Sequence, residues 1–153
     1  MNSSIEIVET EKLAEKLIAR TREGKLAWEA FGILRKAMAP TDLSGATAFT
    51  TTLEGNLKAE VSIIRRGQDE QLAFSLVEFD PHGNDRIPFI GANPDTEILS
   101  VSVEKDPSYG YDTVDEKQLA GLLVDLYGLA RRSALKIDGS VEKALSYLDK
   151  IAV

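Results

Sequence analysis

Two adjacent arginines, Arg131 and Arg132, interrupt the apolar run LYGLARRSALK. Paired guanidinium groups suit phosphate or carboxylate recognition, so a nucleic-acid contact is the first chemistry to weigh. At about 100° per residue, Arg131 lies roughly 120° and Arg132 roughly 140° from the centre of the leucine stripe of that helix. Both therefore point away from the core, and Tyr127, four residues earlier, is within reach of Arg131. Arginine in a late helical turn also complements the helix dipole. The favoured reading is a solvated, dipole-complementing pair. A second pair, Arg65 and Arg66, ends a strand-like segment, and nothing in the sequence requires the four to meet.

The other chemistry-bearing residues are sparse. His82 is the one histidine, in FDPHGNDR, where Asp80, Asn84 and Asp85 could be drawn with it as a metal site. Pro81, Gly83 and Asn84 are ordinary turn residues, no EF-hand spacing is present, and a plain turn is expected. Tyr109 and Tyr111 flank Gly110 in KDPSYGYDTVDE. A tyrosine on an exposed loop can anchor a protein partner or fold down over a sheet edge. The chain has no phosphate-cradling GxxxxGK[ST], no GxGxxG after a strand and no GxSxG elbow. With no cysteine there is no thiol nucleophile, disulfide scaffold or cysteine-based metal site. No catalytic residue, cofactor or metal ligand is assigned, and an enzyme is the less favoured reading.

Two glycines on the outward side of the arginine-bearing helix are less expected. Gly121 and Gly128 fall near Val124 and Leu135, opposite the leucines. Glycine inside a helix costs roughly 1 kcal/mol relative to alanine. Two of them beside apolar residues suggest close approach by a second backbone, either the N-terminal helix or another subunit. Packing within the domain is the favoured explanation, and a partner-binding or dimer surface that would also include Arg131 and Arg132 is the alternative.

The elements that must position these groups follow from periodicity. The 153 residues and 43% hydrophobic content suit one folded domain spanning 1–153. Leu13, Leu17 and Ile18 mark an N-terminal helix, with Thr10 as the expected cap and Gly24 as the stop. Ala27, Ala30, Phe31, Leu34 and Met38 suggest a second helical stripe before Pro40. The middle switches to period two. ATAFTTTLEG, NLKAEVSIIRR, QLAFSLVEF and EILSVSVEK read as strands, RIPFI as a fifth, with a tight turn at Gly55 and Asn56. Their short links imply an antiparallel meander. The last third is helical again, opening near Asp115 and Gln118, with Leu119, Leu122, Leu123, Leu126, Ala130 and Ala134 on one face. The phase carries on to Leu148, but one helix of about 54 Å would overrun a domain about 38 Å across. A break at Gly139, with Ser140 as a fresh cap, is expected. The fold class is α+β: helices at both ends on one face of an antiparallel sheet, whose other face is polar and wet or a docking surface.

The segments TREGKLAWE and LLVDLYGLARRSALKIDGSVEKALSYL resemble a loose group of small bacterial proteins. That group shares a T-x-x-G-K-L-x-W-E turn leading to tryptophan, here Trp28, and a C-terminal L-Y-x-x-A-R-R-x-A-L helix. The resemblance covers about a quarter of the chain and implies the same helix–sheet–helix plan, without an activity. WEAFGILRKAM departs from the turn-to-strand passage the resemblance implies at that point.

The charge bounds the partners. With 25 acidic and 18 basic residues, the formal net charge is −7. Such a field repels polyphosphate and anionic lipid and favours a cationic partner. No apolar run approaches the ~20 residues needed to span a bilayer, the start lacks a secretory pattern, and a bacterial-type cytoplasm is expected. The leading expectation is a small acidic, non-enzymatic protein-binding module, immunity- or antitoxin-like, that masks a basic toxin or nuclease. The alternative is a small-molecule-binding protein or enzyme using the open sheet face and the 106–112 loop.

Overall fold

The computed structural model describes residues 3–30, 48–66, 69–78 and 96–151. Their order is α1 (Ser4–Arg22), β1 (Glu29–Ala30), β2 (Ala48–Thr52), β3 (Leu57–Arg66), β4 (Asp69–Glu78), β5 (Thr96–Glu104), α2 (Val114–Leu135) and α3 (Ile137–Ile151). The five strands form one sheet in sequence order, each antiparallel to the next. Helices α1 and α2 pack on each other, and α2 lies against the sheet. The protein is a two-layer α+β fold, helix on antiparallel sheet.

Side-chain alternation decides which sheet face the helices cover. Val61 pairs with Phe49 on one side and Phe74 on the other, and Phe74 pairs with Val101. These four, with Ala59, Leu72, Leu99 and Val103, meet Leu119, Leu123, Leu126 and Ala130 of α2 in one buried cluster. The reverse face carries Thr50, Lys58, Glu60, Ser75 and Ser100, as period two requires. Ser62 and Ala48 on that face are nevertheless buried. The β2–β3 turn places Gly55 at φ +68°, the left-handed region that favours glycine.

Several local expectations need correction. The first helix begins at Ser4, not after Thr10. Ser3 is the cap, its Oγ accepting from the Glu6 N–H at 3.2 Å. Thr10 is instead buried inside the helix, on the face of Ile7, Ala14, Leu17 and Ile18. Glu23 caps its end and Gly24 follows at φ +75°. Ala27 and Ala30 do not open a helix: Glu29 and Ala30 pair with Thr50 and Phe49 as an edge strand. Phe31, Leu34, Met38, the RIPFI strand and the whole His82 loop lie outside the described residues.

At the C-terminal end, Thr113 caps α2 by accepting from the Glu116 N–H at 3.1 Å, two residues before the expected start. The long helical pattern does break in two, but at Lys136 rather than Gly139. Lys136 adopts the left-handed conformation (φ 53°, ψ 44°), and Gly139 and Ser140 lie within α3. The Arg132 guanidinium donates to Asp138 in the first turn of α3, bracing the corner.

The segment from Thr21 to Trp28 ties three elements together. Buried Trp28 donates its indole N–H to Thr21 Oγ1 (3.0 Å), whose hydroxyl donates to the Leu17 carbonyl (2.7 Å). The Trp28 backbone N–H donates to Ser133 Oγ of α2 (3.0 Å), and Thr51 Oγ1 of β2 donates to the Ala27 carbonyl (2.8 Å). TREGKLAWE and LYGLARRSALK, far apart in sequence, are thus hydrogen-bonded neighbours.

Candidate functional site

The helix layer ends in an open groove of about 740 Å³, bounded by α1, α2 and the connection after β5. Residues one helical turn apart on α1, Glu11 and Glu15, form one wall. The same spacing on α2 brings Gly121 and Asp125 to the other, and Asp106 and Tyr111 close the end. Lys105 and Lys117 are the cations among the described lining residues.

The carboxylates are not equivalent. Glu11 Oε1 is buried without a hydrogen-bond partner, as is Thr10 Oγ1 beside it in sequence. Loss of water, then the charges of Asp115 and Glu15, pushes the Glu11 carboxyl above its ordinary pKa. Lys105 does not relieve it: its ammonium lies 3.7 Å from Glu70, which also faces Arg65 at 3.8 Å. A smaller hollow of about 150 Å³ lies on the other side of Lys105, lined by Asp69, Glu70, Glu104 and Asp106. Lys105 and Asp106 border both hollows.

The two loop tyrosines separate. Tyr111 folds down, its hydroxyl lying 2.9 Å from the Glu104 carbonyl and 2.5 Å from that of Lys105. Burial, then the charges of Asp106 and Glu104, raises its pKa. Tyr109 is fully exposed, in the turn closed by the Gly110 N–H donating to the Pro107 carbonyl. Gly110 there has φ +82°.

Of the residues singled out in the sequence, the groove brings together Tyr111 and Gly121. Gly128 lies two turns further along α2. A Cβ at Gly121 or Gly128 would meet nothing within 4 Å, so no second backbone approaches either glycine among the described residues. Among the described residues, neither glycine serves close packing. The small buried apolar residues of the packed helices are alanines, Ala14, Ala120 and Ala130. The arginines also divide. Arg132 braces α3, whereas Arg131 is exposed on the side of Tyr127, whose ring meets Phe49 edge-on at 5.3 Å. Burial raises the Tyr127 pKa, while the positive charges of Arg131 and Arg65 act against that rise.

Glu11, Glu15 and Asp125 had no motif to announce them. Their signal was weaker: two acids four apart on a helix, a like-charge repulsion that a stable helix gains nothing by keeping. Among the described residues, no three carboxylates or histidines are placed to hold a metal ion, and no helix is long and apolar enough to cross a membrane. No family model, curated protein or solved structure matches this chain.

Proposed function

We propose that this chain is a small acidic protein-binding module that works by contact, covering the basic surface of a partner such as a toxin or nuclease. One observation carries the reading: Glu11, Glu15, Asp106 and Asp125 line a single open groove, against Lys105, already engaged by Glu70, and Lys117. A lysine or arginine from a partner would offset the like charges that Glu15 and Asp115 hold around Glu11. Charge complementarity of this kind raises association rates and rejects acidic competitors. Exposed Tyr109 stands on the loop that closes the groove and offers apolar area with a polar tip.

The groove volume falls in the range of small-molecule sites, but such sites enclose their ligand within mostly apolar walls. This groove is open and charged, which favours a macromolecular surface.

The test is affinity capture from the native host with wild type and with Glu15→Lys/Asp125→Lys. A basic protein should be retained by wild type, released as salt is raised, and lost from the variant. Equal retention by both proteins would reject the groove. A metabolite that raises the melting temperature while no protein is retained would favour the small-molecule alternative.

A further inference from the structure

Helix α3 has an apolar face that no other described residue covers. Ile137, Val141, Ala144, Leu148 and Ile151 recur at alternating spacings of four and three, the heptad seam of a coiled coil. Leu145 and Tyr147 flank the seam. Asp138, Glu142, Lys143, Asp149 and Lys150 all lie about 100° or more from its centre. None of the helix is buried, and Val141, Leu145, Tyr147, Leu148 and Ile151 are between 47% and 63% exposed. Its contacts with the rest of the described fold are chiefly with α2, across the Lys136 corner. A helix of 15 residues is marginal in water without tertiary packing.

We infer that this face is a dimer interface, occupied by α3 of a second copy in antiparallel orientation. The area fits. The exposed apolar residues present on the order of 500 Å², near the upper end of what a monomer shows in one patch. Two such faces together reach the roughly 1,000 Å² that a specific interface needs. The shapes fit as well. Aligned about Ser146, Val141 meets Ile151 of the partner and Ala144 meets Leu148 of the partner, small against large. The seam carries no charge to be desolvated, and a twofold pairing closes on itself without leaving a second sticky face. A lipid surface fits less well. The polar side of α3 carries Lys143 and Lys150 against three acids, and the chain as a whole is at −7, whereas membrane-surface helices are rich in lysine and arginine. This interface is independent of the acidic groove, and either can fail without the other.

Sedimentation equilibrium of the full chain tests the inference. Wild type should show twice the 16.7 kDa of one chain. Leu148→Glu should weaken association by about 100-fold or more, as expected for a central interface residue. Leu148 is exposed within the monomer, so the variant should match the far-ultraviolet spectrum of wild type diluted to the monomer. Because the chain has no cysteine, Ser140→Cys reports orientation. In the antiparallel pairing the two introduced thiols stand about 18 Å apart along the axis and should not cross-link under mild oxidation. A monomeric wild type, a dimer that survives Leu148→Glu, or rapid cross-linking at position 140 would each overturn the proposal. So would a monomer that co-sediments with phosphatidylglycerol vesicles, which would give the face to lipid.

Discussion

Glu11 shows how a groove-lining residue can work against the fold that holds it. Its folded-state pKa is raised by burial and by two neighbouring acids, so the folded chain holds its proton more tightly than the unfolded chain. The resulting contribution to stability is fully present below the unfolded value, near 4.5, and is lost as pH rises through the folded value. At neutral pH Glu11 is therefore a destabilising residue. Glu11→Gln should stabilise the protein at pH 7 and have little effect at pH 4, a difference read from urea denaturation at the two pH values. An effect of equal size at both would show that ionisation is not the cause. The single site-level feature that sequence made plain was the outward direction of Arg131 and Arg132, because helical angle alone fixes it. That Arg132 would reach Asp138 was not legible, since the contact depends on where the helix turns.

At the scale of elements, the helices carry backbone costs of two kinds. Lys136 is a non-glycine residue in the left-handed region, and Gly128 is a glycine in an exposed helix interior with open space at its Cβ position. Lys136→Gly should stabilise the corner by about 1 kcal/mol, and Gly128→Ala should stabilise α2 by about 0.5–1 kcal/mol. Both shifts are measurable as changes in the urea midpoint at constant slope. The strands and the meander were readable because Leu57, Ala59, Val61 and Ile63 alternate over a full sheet width and short links forbid crossovers. Helix ends were not. Thr10 has the side chain of a cap, but Ile7 and Ala14 extend the buried stripe through it, and the stripe prevails over local preference. The break at Lys136 escaped for a related reason: glycine three residues later was the obvious stop, while the observed stop uses a residue that disfavours the conformation. The acidic groove was invisible because its walls come from α1, α2 and a loop, and only packing assembles them.

For the whole molecule, first and last thirds of the chain make one helix layer on a sheet supplied by the middle. Ile7, Ala14, Leu17 and Ile18 of α1 share a cluster with Leu119, Leu123 and Leu126 of α2, and Trp28 is hydrogen-bonded to Ser133. Deleting residues 113–153 should therefore leave a chain without cooperative unfolding, seen as a broad, featureless thermal transition. A sharp transition would show that α1 and the sheet fold alone. The Trp28–Ser133 contact also governs the order of events during synthesis. A ribosome releases α1 early, but α2 begins only at Val114, about ninety residues after α1 ends at Arg22. For that interval the apolar stripe of α1 lacks its packing partner, and transiently exposed apolar surface of this kind makes a nascent chain prone to aggregation.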